Sequence, residues 1–126
     1  MALGKELGTF DLKSTSFTLI PGKKKTVDVS ANFEGRVHGR TEGNVMATMT
    51  FASPDGKDGT YTVSTRTLFD DGSIQDASGR GKTTYVGGHR WRVAGVAEIS
   101  NGRSYGITGE IDYDARTFNG TIFDRI

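Results

Sequence analysis

Apolar residues recur at every second position through most of this chain, which is the period of a β-strand whose successive side chains point to opposite faces. The clearest case spans 89–126, HRWRVAGVAEISNGRSYGITGEIDYDARTFNGTIFDRI. His89, Trp91, Val93, Gly95, Ala97 and Ile99 share one face, while Arg90, Arg92, Ala94, Val96 and Glu98 share the other. Tyr105, Ile107, Gly109, Ile111 and Tyr113 continue the apolar face, with Ser104, Gly106, Thr108, Glu110 and Asp112 opposite. Ser100-Asn101-Gly102 and Tyr113-Asp114-Ala115-Arg116 break the pattern as turns, so the segment predicts three consecutive antiparallel strands, a meander.

The same reading extends upstream. Leu7 to Leu12 and Phe17 to Ile20 are strand-like, and Pro21-Gly22 followed by Lys23-Lys24-Lys25 predicts an exposed turn. From Thr26 to Arg40, Val27, Val29, Ala31 and Phe33 alternate with polar residues, and Gly35 and Gly39 predict a bend or bulge. Asn44 to Ala52 sets Val45, Ala47, Met49 and Phe51 against Met46, Thr48 and Thr50, and the run from Ser53 to Gly59 reads as a turn. Thr60 to Phe69 places Tyr61, Val63, Thr65, Thr67 and Phe69 on one face, with Arg66 and Leu68 on the other. Asp70-Asp71-Gly72 is a hairpin signal. Ser73 to Val86 is a further strand, bent at Gly79-Arg80-Gly81, and Gly87-Gly88 turns the chain into the meander.

About eight strands joined by short hairpins, with no helical period, predict an all-β fold: a single antiparallel, mostly up-and-down eight-stranded β-barrel occupying 1–126 as one domain. A sheet with no helix to cover it must deal with its own edges, and closure removes them. Glycines inside strands, such as Gly79, Gly81, Gly95, Gly106, Gly109 and Gly120, suit tight barrel corners. A barrel of this size is either filled by side chains or wide enough to hold one small ligand.

Composition narrows the function classes. Lys+Arg 16 against Asp+Glu 15 gives a net charge of +1, so no whole-protein field draws the chain to nucleic acid or to an anionic membrane surface. There is no apolar run long enough to span a bilayer as a helix and no signal-peptide pattern at the amino terminus, which makes the cytoplasm the expected location. Without cysteine there is no disulfide and no thiolate nucleophile or ligand.

No motif for a metal or a cofactor emerges, so neither is predicted. Gly81-Lys82-Thr83 resembles the end of a phosphate-binding loop, but Asp76 stands where that loop needs glycine and a strand follows in place of a helix. His38 and His89, the only histidines, are read as strand residues with no ligand spacing. Tyr85, His89, Arg90, Trp91 and Arg92 would suit a single-strand nucleic-acid platform, except that alternation sends Trp91 and the arginines to opposite faces.

Two sets of side chains are left as candidates. Trp91, Tyr105, Phe69 and Tyr61, with Arg66, would form a ligand-binding set, since aromatic walls with a few orienting polar groups typify small-molecule sites. Glu42, Arg66, Arg80, Arg92, Glu98 and Glu110 lie within strands or at their ends. Of these, Arg92, Glu98 and Glu110 are the catalytic candidates, a carboxylate acting as base and an arginine stabilising an oxyanion. That assignment conflicts with an inward Trp91 unless a bulge near Gly95 re-aims one set. The competing reading puts these charges on the wet outer face in cross-strand pairs.

The segment Leu68-Phe69-Asp70-Asp71-Gly72-Ser73-Ile74, followed by Gly79-Arg80-Gly81, resembles the central hairpin of allene oxide cyclase-like and dirigent-like barrels, and of small bacterial barrels that include polyketide cyclases. The likeness covers 33–86. Past it, the glycine-rich segment usual in allene oxide cyclases is replaced by YVGGHRWRVAGVAEI, so no catalytic residue is carried over. What the resemblance implies is a calycin-like barrel with a largely apolar cavity, in homo-dimers or homo-trimers, that binds a hydrophobic small molecule. Cyclase or isomerase activity would come from confining a reactive substrate, with no cofactor. The alternative is a non-catalytic structural or protein-interaction barrel.

Overall fold

The computed structural model of the protein describes residues 3–52 and 58–125. The turn read at Ser53 to Gly59 therefore lies mostly outside the described residues. Eight strands follow one another: β1 (Leu3–Pro21), β2 (Val27–Gly39), β3 (Gly43–Ala52), β4 (Gly59–Phe69), β5 (Ile74–Gly87), β6 (Arg90–Ile99), β7 (Ser104–Asp112) and β8 (Thr117–Arg125). Each pairs antiparallel with its sequence neighbours and β1 closes on β8, so the sheet is a closed up-and-down barrel in the order of the chain. A short 3-10 turn at Lys23–Lys25 links β1 to β2.

The alternation read from the sequence is the alternation of the wall. Phe33, Ala47, Met49, Phe51, Trp91, Val93, Ile111 and Phe118 point inward and are buried, and Met49 and Val93 have no exposed surface at all. β1 departs from the two separate runs expected at its ends. It is one strand of 19 residues, bulged between Ser14 and Ser16 in its pairing with β2. Thr15 is the extra residue. It shifts the phase of the strand, so Phe10 and Leu12 at even positions and Phe17 at an odd one all contribute to the core.

His89 is a correction of another kind. Read as the first residue of a strand, it lies in the hairpin turn before β6, where Gly87, Gly88 and His89 all have positive φ, and its ring pairs with Asp114 at 3.0 Å on the surface.

Two glycine pairs do something more specific than bend corners. Gly81 and Gly95 face each other across β5 and β6, and Gly109 and Gly120 across β7 and β8. A Cβ on Gly95 would stand 2.5 Å from the Tyr61 hydroxyl, and one on Gly81 would stand 2.8 Å from the Tyr61 ring. A Cβ on Gly120 would meet Phe10 at 2.5 Å, and one on Gly109 would meet Phe118 at 2.8 Å. The glycines are the floor on which core rings lie, and the missing side chains are the space the rings occupy.

Gly95→Val should therefore lower unfolding stability by about 3 kcal/mol, the upper end for overpacking a full core. Ala94→Val, one residue along on the exposed face, should change it by less than about 0.5 kcal/mol. Urea midpoints of the two variants check this, and equal midpoints would remove the packing role given to the glycine.

Candidate functional site

The inside of the barrel is unevenly filled. At the end that carries the β1–β2, β5–β6 and β7–β8 connections, aromatic rings close the bore. Tyr113 is their hub, with ring centroids 4.7 Å from Trp91, 5.8 Å from Phe17 and 6.3 Å from Phe51, and Tyr85 lies 4.6 Å from Trp91. The Arg116 guanidinium covers Phe17 from outside at 5.7 Å. Edge-to-face and tilted packing of this kind suits the ring quadrupoles.

Toward the other end, which carries the β2–β3, β4–β5 and β6–β7 hairpins, the bore holds a cavity of about 400 Å³. Short side chains, Ala47, Ala77, Ala97 and Thr65, are among those that line it, and they leave room that larger residues would fill. Phe10, Leu12, Val37, Ile107, Phe118 and Ile122 make an apolar wall on β1, β2, β7 and β8. The wall formed by β4 and β5 is different. Between Val63, Phe69 and Ala77 it presents Tyr61, Thr65, Thr67 and Gln75, with Thr67 and Gln75 directly paired in register.

Among the described residues none of these four side chains hydrogen-bonds to another protein group, and no buried side-chain nitrogen or oxygen is left without a partner. Their polar atoms therefore open into the cavity. Burial pushes the Tyr61 hydroxyl up to about 12, and that of Tyr113 likewise to about 12, because the phenolate would lose its hydration.

Of the residues singled out from the sequence, Tyr61, Phe69 and Tyr105 border the cavity. Trp91 is buried but belongs to the aromatic closure at the far end. Arg66, Arg92, Glu98 and Glu110 point outward. The register of β6 with both neighbours runs unbroken through Gly95, so no bulge re-aims Arg92 or Glu98. Arg66 makes a two-pronged pair with Asp76 at 2.7 and 2.9 Å, Glu98 faces Arg80 at 3.9 Å and Glu110 faces Arg90 at 3.6 Å.

A second two-pronged pair joins Arg36 to Asp70, and in both pairs the guanidinium holds the aspartate below its ordinary range. These links help the fold above that range and fade as pH falls through the lowered values. Each is exposed, so each contributes little.

The polar row on β4 and β5 is what sequence reasoning missed. Its signal was present: Thr65 and Thr67 sit on the inward parity of a strand whose other inward residues are Tyr61, Val63 and Phe69.

Among the described residues, no helix is long and apolar enough to cross a membrane, and no three histidine or acidic side chains converge as a metal site would require. Comparison with protein-family models, with curated proteins and with solved structures gives no match to this chain. The likeness to allene oxide cyclase-like and dirigent-like proteins is thus one of architecture, an eight-stranded antiparallel barrel, and carries no family membership.

Both raised tyrosines are neutral in the fold and ionise near the ordinary value of 10 when unfolded. Their contribution is complete below pH 10 and is lost as pH rises from there toward 12. Thermal stability should fall over that interval, and less steeply in Tyr61→Phe. Absorbance titration should show two tyrosines ionising late, whereas ionisation of all four together near pH 10 in folded protein would contradict the burial assigned to them.

Proposed function

We propose that the protein is a small-molecule-binding β-barrel, taking an amphipathic ligand into the open half of its bore. The observation that carries this reading is the row of Tyr61, Thr65, Thr67 and Gln75, polar groups without protein partners, facing an apolar wall across a cavity of about 400 Å³. That volume falls in the range of ligand sites, as does a lining that is mainly apolar with a few convergent polar groups.

A barrel serving only as a scaffold has no use for such a row. A hydroxyl or amide that opens into a cavity keeps its hydrogen-bonding capacity for whatever occupies that space, whereas valine would pack a filled barrel equally well. A ligand with apolar bulk toward Phe10, Ile107 and Phe118 and hydrogen-bonding groups toward β4 and β5 satisfies both walls. Tyr61, Phe69 and Tyr105 would contact it. Any reaction on such a ligand would proceed by confinement, the wall fixing one reactive conformation.

Native mass spectrometry of protein purified from its host should reveal a retained small molecule. Thr67→Val should weaken retention while changing unfolding stability of the ligand-free protein by less than about 1 kcal/mol, because the hydroxyl gives up no hydrogen bond to another protein group. Ala77→Leu should abolish retention by filling the cavity with the fold intact. Protein that carries no small molecule, takes up none from an extract and is destabilised by Thr67→Val would support a filled scaffold instead.

A further inference from the structure

Among the described residues that line the cavity there is no aspartate or glutamate, whereas there are two arginines, Arg40 after the end of β2 and Arg103 before the start of β7. Four other arginines are matched with acids, Arg36 with Asp70, Arg66 with Asp76, Arg80 with Glu98 and Arg90 with Glu110, while Arg116 covers Phe17 and Arg125 donates to Ser104. Arg40 and Arg103 make no such pair among the described residues. Arg103 instead lies over the ring of Tyr105, its guanidinium 5.5 Å from the ring centre, and Tyr105 itself borders the cavity.

Several acids stand at this end of the barrel, and none of them lines the cavity among the described residues; Glu6 is next to the lining residue Leu7. Glu42 lies 3.9 Å from Arg36 and 3.6 Å from His38, whose other ring nitrogen is 3.2 Å from Asp11. Asp71 accepts hydrogen bonds from the backbone and hydroxyl of Ser73. Asp124 stands opposite Tyr105 in register but does not line the cavity.

From this we infer that the ligand is an anion, with its apolar part in the bore and a carboxylate, sulfonate or phosphate at the mouth between Arg40 and Arg103. The inference rests on the cavity being a ligand site and adds the sign of the ligand's charge. Guanidinium groups present forked donors that suit such oxyanions, and a site flanked by low-dielectric wall strengthens their attraction. The tyrosine face beneath Arg103 helps to hold that fork in place. A cationic amphiphile of the same length would meet two like charges at the entrance with no acid among the lining residues to receive it.

Isothermal titration of the full chain at neutral pH with decanoate, decanol and decylammonium separates the charge from the tail. Decanoate should bind about tenfold more tightly than decanol, and decylammonium least well, with the gap between decanoate and decanol narrowing at high salt. In Arg40→Gln/Arg103→Gln the preference for decanoate should vanish while decanol binding is kept, which also shows that the double variant is folded. Decanol binding as tightly as decanoate to the natural chain, or a double variant that keeps the preference, would overturn the anion assignment and leave the cavity reading standing. If none of the three binds, the cavity reading fails and the anion assignment goes with it.

Discussion

The pairing of β1 with β8 is the constraint from which the remaining features follow. Gly8 to Lys13 of β1 lie opposite Thr117 to Ile122 of β8, and this ladder turns an open sheet with two exposed edges into a ring with none. An open sheet of the same sequence would show its apolar face to water. Once closed, that face becomes an interior of fixed girth, and every inward residue competes for the same volume. The length of β1 makes this possible: one half reaches β8, and the strand continues beyond the bulge to pair with β2 as far as Pro21.

Competition for volume explains why large and small inward residues are distributed as they are. Tyr61 lies over the Gly81–Gly95 pair, and Phe10 and Phe118 lie against the Gly109–Gly120 pair, so each large ring is matched by a place where the wall has no side chain. Five further rings, Phe17, Phe51, Tyr85, Trp91 and Tyr113, gather at one end. The opposite half mixes large side chains such as Phe10, Phe69, Tyr105 and Phe118 with Ala47, Thr65, Ala77 and Ala97, and together they leave it unfilled. The cavity is the remainder of this partition rather than a separate device.

Strand number, order and the inward face were legible because each depends on a local period of two and on turn residues that end each run. The outward placement of Arg92 and Glu98 followed from the same alternation, and the unbroken register of β6 upholds it. Two things were not legible. The phase shift at Thr15 rests on how β1 meets β2, and a polar stretch such as Lys13-Ser14-Thr15-Ser16 carries no apolar marker of its parity. The cavity could not be read either, since void volume depends on which residues from different strands share a level of the bore. The threonines of β4 were visible on the inward parity, yet a β-branched residue suits a strand whatever it faces, so its hydroxyl alone gave no warning.

Those hydroxyls bear on what the interior is for. Tyr61, Thr65, Thr67 and Gln75 carry donors and acceptors that no other described protein group satisfies, within a bore whose other wall is hydrocarbon. None of these polar atoms is buried without a partner, because they face the open space of the cavity. The partners must then come from outside the chain, as water or as a ligand. Water would satisfy the β4–β5 wall but would stand against Phe10, Ile107 and Phe118, where it gains nothing. On the proposed reading, a ligand with one polar edge and one apolar edge would satisfy both at once, and the two-sided lining would then narrow the guest further than the volume alone does.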